Sequence, residues 1–379
     1  MKSITQQAAP NIISGVNFNA DRFEELFAWM SAIAADSVQA ILLPHQYGLV
    51  VPFDGKSALE MRLVNQKIVV NRCSGITAKG SVIGVFEDIT PVLEAALPNN
   101  LQKETEYVVV ISVNPMKRLA FGATAADAPE RPKFSMPKYN IGFRKPEELT
   151  NNPSNMLPIG LLKMEGETVE LIEYMPPCVH LGATKLLREK YLEYQGELQH
   201  LLNYLPKVIQ QTGSYEDRTT MALREFCMQT GSYLSQQSAA YFNLGKHGSP
   251  YSMIKTWCEF AGVASFVLQC FREDARREFY RLLNHNTHGG ARFNSNEFKR
   301  ILDELSVFQF KQNDLLAATE KVDELLKMMV PIFRMLSTNF TRPSGTSWSE
   351  NSKPEPKKIV EVAPEKPVAP KKKSSPFSW

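Results

Sequence analysis

Three groups of side chains in this sequence are of the types that carry chemistry. His285 and His288 form an HxxH pair, a spacing that can place two imidazoles on one metal ion. Because their neighbours Asn284 and Asn286 are poor metal ligands, the pair indicates an ordinary loop, and we predict no bound metal and no other cofactor. A cytoplasmic metal-dependent hydrolase that uses this pair is the competing hypothesis, and metal analysis of the pure protein would test it.

The other two groups are a cysteine with a histidine and a set of carboxylates. Cys178 and His180 have the types of a thiol–imidazole pair, but residues two apart on an extended strand only share a face, which favours a packed junction. The carboxylates surround a predicted hairpin turn and are explained as solvated strand edges: Glu165, Glu167, Glu170 and Glu173. The chain contains no GxGxxG, GxxxxGK[ST], GxSxG or HExxH motif. We therefore predict no catalytic residues and no enzymatic activity.

The composition is that of a folded chain with a basic C-terminal segment. Of 379 residues, 43% are hydrophobic and 22% are charged, and the net charge of +3 gives no case for nucleic-acid binding. Residues 342–379 contain eight basic and four acidic residues, so the positive charge is concentrated there. The five cysteines include no CxxC pair, and neither a signal peptide nor an apolar run of ~18 residues is present. These features predict a cytoplasmic protein without a membrane span.

Residues 1–175 predict a β-sandwich domain preceded by a short helix. Apolar residues at helical spacing mark the helix over Asn19–Ile33. Many short apolar runs separated by turn signals then predict strands. The runs are 40–43, 47–53, 59–64, 68–70, 81–86, 107–113, 139–143, 157–164 and 168–174. The segment Ala123–Pro137 is rich in alanine and proline and predicts an exposed loop.

Residues 176–340 predict an elongated antiparallel four-helix bundle. From Leu187 to Val208 the apolar residues alternate in spacings of four and three, which is the heptad seam of packed helices. Similar spacing predicts further helices over 215–244, from Pro250 to 282, and over 298–336. The seam residues that best represent this pattern are Leu187, Leu198, Leu205, Leu305, Phe308 and Leu326.

Several polar and proline residues interrupt the helical pattern. Gln312 and Thr319 occupy seam positions, where polar side chains can fix register. Asn313 with its neighbour Asp314 is a good capping pair, at which the last helical run can break. Pro206 and Pro331 predict a kink or an end near the last turns of their helices.

The boundary between the two regions and the end of the chain are the remaining candidate sites. Pro176 and Pro177 fit neither a β-ladder nor a helix, so with Leu181 they mark a domain junction. Residues 341–379 are too polar to fold and predict a disordered tail. This tail can be plain disorder or a contact for an anionic surface. Its basic residues and large aromatic residues also make it a candidate partner-binding segment: Lys371, Lys372, Lys373, Phe377 and Trp379.

The junction resembles that of the TssK family of type VI secretion baseplate subunits. The family's signature of an aromatic residue, a double proline and an aliphatic residue before the first bundle helix is matched by Tyr174–Leu181. Upstream, Tyr47–Val50, Ile68–Val70 and Thr77–Gly80 resemble the succession of strands and turn in that family. Ser14–Phe18 is more loosely similar to its N-terminal segment, without the QHF part. The resemblance covers residues 14–340.

The resemblance implies a non-enzymatic structural adaptor. Members of the family form homotrimers whose shell domain grips the TssF–TssG wedge and whose C-terminal head links the baseplate to the membrane complex. In place of that folded head this sequence has the Pro/Lys tail, which leads to the hypothesis that the tail serves as the tether and recruits the protein to the inner membrane through partners. A phage or phage-like tail adaptor, which would join a receptor-binding tip instead, is the alternative.

Overall fold

The computed structural model describes residues 19–41, 43, 46–98, 102, 105–124, 130, 132–149, 155–165, 168–286 and 293–341. These residues belong to one compact unit with a mixed α+β fold. After an N-terminal helix, strands predominate from Gly48 to Ile172, and helices follow from Lys185 onward. No helix within these ranges combines the length and the apolar character that a membrane crossing requires.

The N-terminal helix is longer than predicted. Helix α1 spans Ala20–Ile41, and Asn19 caps it, because its Oδ1 accepts a hydrogen bond from the backbone N–H of Arg22 at 3.0 Å. Its apolar face is only partly covered, since Phe27 is 46% exposed and Met30 is 53% exposed. The guanidinium of Arg118 lies 5.3 Å from the ring centroid of Phe27.

The strands form two antiparallel sheets. In the first, β3 pairs with each of the other four strands. Its strands are β1 (Gly48–Leu49), β2 (Leu59–Val64), β3 (Lys67–Ile76), β4 (Val82–Phe86) and β5 (Leu93–Ala96). In the second the order is β7-β6-β8-β9. Its strands are β6 (Glu106–Thr124), β7 (Pro132–Arg144), β8 (Met156–Glu165) and β9 (Thr168–Ile172), with the short helix α2 (Pro146–Leu149) between β7 and β8. The sequence pattern missed β5.

The inner faces of the two sheets contact each other. The hydroxyl of Tyr139 on β7 accepts a hydrogen bond from the backbone N–H of Gly84 on β4 at 3.2 Å. A Cβ atom at Gly75 of β3 would lie 2.6 Å from the Leu157 side chain on β8, so the two sheets approach closely there and a larger residue would require that leucine to shift. Buried aliphatic residues from both sheets share one core with the helices.

The predicted loop over Ala123–Pro137 is wrong at its first two residues, which end β6 at Thr124, and from Pro132 onward, where β7 begins. Pro137 lies opposite Arg118, next to a shift in the register of β6 and β7. Proline is tolerated at such an irregularity because no ladder hydrogen bond is lost. Residues 125–129 and 131 lie outside the described residues.

The helical region contains six α-helices in the described residues, with a short 3-10 helix (Gly245–His247) between the second and the third. They are α3 (Lys185–Thr212), α4 (Arg218–Phe242), α5 (Pro250–Cys270), α6 (Glu273–Asn286), α7 (Ser295–Ser306) and α8 (Leu315–Thr338). The four predicted helical runs correspond to six helices, since each of the last two runs is divided. The fourth run breaks before Asp314, as the capping pair predicted, and Asn294 caps α7 through its Oδ1.

The predicted seam of α3 is buried over its whole length. Leu187, Leu198 and Leu205 are fully buried, as is Leu305 on α7, and Leu326 on α8 is nearly so. Phe308 is different, because it lies half-buried in the connection between α7 and α8 rather than in a helical seam. The helices that carry Pro206 and Pro331 both continue beyond these residues, to Thr212 and Thr338.

Candidate functional site

The double-proline junction, Tyr174–Leu181, packs directly on the first strand of the β region. The backbone N–H of Leu49 donates to the carbonyl of Pro177 at 2.7 Å, and the N–H of Val179 donates to the carbonyl of Leu49 at 2.8 Å. These bonds make a parallel bridge between Leu49 and Cys178. Because Pro177 has no N–H, only its carbonyl can take part, and the junction uses that group.

Gly48 makes this close approach possible. Its φ of +130° is rarely adopted by side-chain-bearing residues, and a Cβ atom there would lie 2.2 Å from the carbonyl carbon and oxygen of Pro177. Glycine is therefore required both by the backbone conformation and by the space.

Gln312 joins the junction to the helices. Its Nε2 donates to the backbone carbonyl of Tyr47 at 2.8 Å and to that of Cys178 at 2.6 Å. The hydroxyl of Tyr47 donates to the side-chain oxygen of Asn313 next to it, and burial raises the pKa of Tyr47 to about 12. The connection between α7 and α8 thus fastens β1 and the double-proline segment with side-chain hydrogen bonds. We call these contacts, together with the backbone hydrogen bonds of Leu49 to the double-proline segment that Gly48 permits, the junction clasp.

The C-terminal end of the junction is fixed to the connection between α4 and α5. The backbone N–H of Leu181, which is fully buried, donates to the carbonyl of Gly248 at 2.8 Å. The N–H of Gly182 donates to the carbonyl of Lys246, also at 2.8 Å. Thr184 then caps α3 by accepting from the N–H of Leu187 at 3.3 Å. The first helix of the helical region therefore leaves from a backbone that hydrogen bonds hold in place.

Cys178 and His180 have separate partners at the junction. The Cys178 thiol is fully buried, its Sγ lies 3.2 Å from the carbonyl oxygen of Pro176, and burial raises its pKa to about 12, which keeps it in the unreactive thiol form. Nδ1 of His180 accepts from the N–H of Val51 at 3.3 Å. Burial and the neighbouring His247, whose ring centroid is 5.4 Å away, lower the pKa of His180.

The carboxylates around the β8–β9 turn are exposed on the surface. Glu165 forms an ion pair with Lys163 at 2.6 Å, and that lysine lowers the pKa of the carboxyl. Glu170 lies opposite Lys163 in the ladder, and Glu173 follows the end of β9. Glu167 lies outside the described residues. Among the described residues, these carboxylates form no group of three that could hold a metal ion.

The remaining candidate residues lie partly outside the described ranges. His285 is on α6 and not in the predicted loop, whereas His288 is outside the described residues. The tail candidates are also outside them: Lys371, Lys372, Lys373, Phe377 and Trp379. In the part of the chain that the structure describes, no three His, Cys, Asp or Glu side chains are grouped as a metal site requires.

Sequence reasoning missed the charged contact inside the helical region. The hydroxyl of Tyr194 donates to the carbonyl of Thr319 at 2.8 Å and to the carboxylate of Asp323 at 2.7 Å. Lys190 adds an ion pair with Asp323, also at 2.7 Å. The only sequence signal for this contact is the polar character of Tyr194 at a seam position, since a buried tyrosine hydroxyl requires a partner.

Comparison with solved structures places this geometry in a known fold. A crystal structure of TssK is 16% identical with a TM-score of 0.54, over 85% of this chain and 69% of that one. A chain of a type VI secretion TssK–TssF–TssG baseplate subcomplex is 15% identical with a TM-score of 0.49, over 85% and 99% of the two chains. TssK from the EAEC system, bound to a nanobody, is 15% identical with a TM-score of 0.46, over 79% and 97%.

No family model and no curated protein sequence matches the chain. The first of these likenesses shows a TssK-like fold. The mixed α+β arrangement of this chain agrees with that fold.

Proposed function

We propose that this chain is a non-enzymatic structural adaptor of a type VI secretion baseplate. The observation that carries the proposal is the junction clasp, in which Gly48, Pro177 and Gln312 hold a sheet and a set of helices together in a TssK-like fold. An adaptor must keep two binding surfaces at a fixed distance. A joint closed by buried hydrogen bonds serves that purpose, because opening it would leave buried polar groups unsatisfied.

The finer architecture of this adaptor has two parts. The two contacting sheets form the β-sandwich shell domain over residues 1–175, and the six helices form the bundle stalk over 176–340. Pro176, Pro177 and Leu181 are the junction between them. The contacts of Tyr139 with Gly84 and of Leu157 with Gly75 support the sandwich arrangement.

The partners of this adaptor are other proteins. The chain assembles as a homotrimer, its shell domain holds wedge proteins of the TssF and TssG families, and it acts in the cytoplasm at the inner membrane. The tail over residues 341–379 contacts the membrane complex through Lys371–Lys373, Phe377 and Trp379. The composition of that tail supports this role, because large aromatic residues beside basic residues are efficient anchors at protein interfaces.

Removing residues 343–379 tests the role of the tail. The shortened protein is expected to retain its own assembly and its binding to the wedge proteins, and to lose recruitment to the membrane complex. Fluorescence of a tagged protein in the host cell and secretion of a substrate are the two readouts. Normal localisation together with normal secretion would show that the tail is not the tether.

Deleting the whole gene tests the proposed function itself. Type VI secretion is expected to stop and to return when the intact gene is supplied. Undiminished secretion in the deletion strain would exclude a required role in the baseplate, whatever the tail does.

A further inference from the structure

The loop Pro52–Ser57, directly after β1, presents a phenylalanine to solvent. The relative exposure of Phe53 is 113%, so its ring is as open as in an extended peptide. The loop closes through a hydrogen bond from the N–H of Gly55 to the carbonyl of Pro52 at 3.2 Å, and Gly55 has a φ of +71°. The N–H of Lys56 donates to the side chain of Asp54 at 3.0 Å, which is an Asx turn.

A buried arginine on β3 anchors this loop to the sheet. The side chain of Arg72 on β3 is 3% exposed, and its guanidinium contacts the carboxylate of Asp54 at 2.8 Å and that of Glu60 at 3.9 Å. It also lies 5.2 Å from the ring centroid of Phe86. Breaking the Asp54 contact would leave a buried charge poorly compensated, which is costly. Phe53 is therefore presented to solvent by a loop that is held in place.

A second exposed apolar residue lies on a turn that is tied to this loop. Lys56 forms an ion pair with Asp88 at 3.4 Å, and the next residue, Ile89, is 69% exposed. Hydrogen bonds with Phe86 fix this turn. The N–H of Ile89 donates to the carbonyl of Phe86, and the N–H of Phe86 donates to the hydroxyl of Thr90, both at 2.8 Å. We call Phe53 and Ile89, with the two turns that present them, the apolar knob.

The charges around the apolar knob define what it can bind. Asp54, Glu87 and Asp88 lie on its two turns, whereas Lys56 is the one basic residue on them. Arg72 is buried beneath. Asp54 is paired with Arg72 and Asp88 with Lys56, so these groups together carry one net negative charge. A negative surface disfavours anionic lipids and nucleic acids, and it favours a protein surface with basic residues. A preorganised aromatic side chain suits a hydrophobic pocket, since little conformational entropy is lost when it is buried.

We infer that the apolar knob is the surface through which the chain docks onto a wedge protein. Phe53 and Ile89 enter an apolar pocket whose rim carries lysine and arginine side chains. This inference rests on the proposed baseplate function and adds to it the contact surface on this chain. Single exposed apolar residues are common on protein surfaces. The knob differs from them in having two such residues on neighbouring turns, one of which is held by a buried guanidinium.

Titration of the full chain against purified TssF- and TssG-type proteins of the same organism tests the knob. Phe53→Ala is expected to weaken the binding by about tenfold or more, as for a central aromatic anchor. Ile89→Ala is expected to weaken it less, and binding by the unaltered chain is expected to weaken as salt is raised, because the charges across the interface are opposite. Phe266→Ala is the matched control, since Phe266 is 66% exposed on α5, away from the knob.

The possible results separate the two proposals. Because the Phe53 ring is fully exposed, its removal is expected to leave thermal unfolding unchanged, so a loss of binding reports the contact itself. If Phe53→Ala binds the wedge proteins as tightly as the unaltered chain does, the inference is wrong while the proposed function stands. If Phe53→Ala leaves wedge binding unchanged but lowers the oligomeric mass of the purified chain, measured without partners, a second copy of the chain occupies the knob. The inference is again wrong in that case. If the unaltered chain binds no wedge protein, the proposed function and the inference both fail.

Discussion

At the scale of single residues, the junction depends on one glycine and one histidine that no chemical motif identifies. Gly48 lies in a Tyr-Gly pair that the sequence resemblance singled out. Only the structure shows why a glycine is needed there, because the carbonyl of Pro177 faces it. His180 lies beside a cysteine and suggested thiol chemistry. Its imidazole instead accepts a backbone hydrogen bond from Val51. Both residues serve the packing of the junction.

Gly48→Ala is expected to lower the free energy of unfolding by at least ~2 kcal/mol, because the new Cβ atom meets the Pro177 carbonyl and the backbone conformation is strained. Urea titration followed by circular dichroism measures the change. Gly196→Ala is the matched control, since it lies inside α3 with open space around it, and a gain of ~0.5–1 kcal/mol is expected there. Equal effects of the two variants would contradict this account of the clasp.

Lowering the pH is expected to destabilise the protein through His180. Burial and His247 hold its folded-state pKa below the ordinary value of 6.5. As the pH falls below that value, the unfolded chain takes up the proton first, so the free energy of unfolding decreases until the pH passes the folded-state pKa.

His180→Asn isolates this contribution. The asparagine keeps an acceptor for the N–H of Val51 but does not titrate. Denaturant titrations at a series of pH values between about 8 and 5 are expected to show a smaller loss of stability in the variant than in the unaltered protein. An unchanged pH dependence in the variant would assign the effect to other groups.

At the scale of elements, Gln312 has a different role from the one its spacing suggested. The alternating pattern placed it in a helical seam, whereas it lies in the connection between α7 and α8, where its amide reaches Tyr47 and Cys178. Both of these residues are more than a hundred positions away in the chain. Local periodicity carries no information about such contacts, so the clasp could not be predicted from the sequence.

Gln312→Ala is expected to lower the free energy of unfolding by ~1–3 kcal/mol, because two carbonyl groups at the junction lose their donor. Gln229→Ala on the exposed side of α4 is the control, with an expected change within ~0.5 kcal/mol. The same urea titration measures both. If Gln312→Ala is as stable as the control, the amide does not fasten the two regions.

The elements that the sequence predicted best are those with a strong local period. The seam of α3 from Leu187 to Val208 is buried as its spacing predicted, since every third or fourth side chain faces the same side of a helix. The division between α5 and α6 was missed because no glycine or proline marks Phe271. The strand β7 was missed in part because its prolines suggested a loop, although an irregular ladder position accommodates them.

At the scale of the whole molecule, the mixed α+β class and the change from strands to helices at the double proline were predicted from the sequence, and the TssK-like fold agrees with the resemblance. The domain limits, the candidate tail residues and the partners stay predictions. Oligomeric state and partner choice could not be derived from the sequence pattern, because they depend on surfaces, whose residues follow no period. The half-exposed apolar face of α1 is one such surface.

The structural-adaptor proposal is tested most directly by the mass of the purified chain. It is measured for the chain alone and for the chain mixed with TssF- and TssG-type proteins of its own organism. Mass photometry or native mass spectrometry is expected to give three times the 42.7 kDa mass of one chain, and a heavier species when the wedge proteins are added. A chain that stays monomeric and forms no heavier species with those proteins would contradict the account.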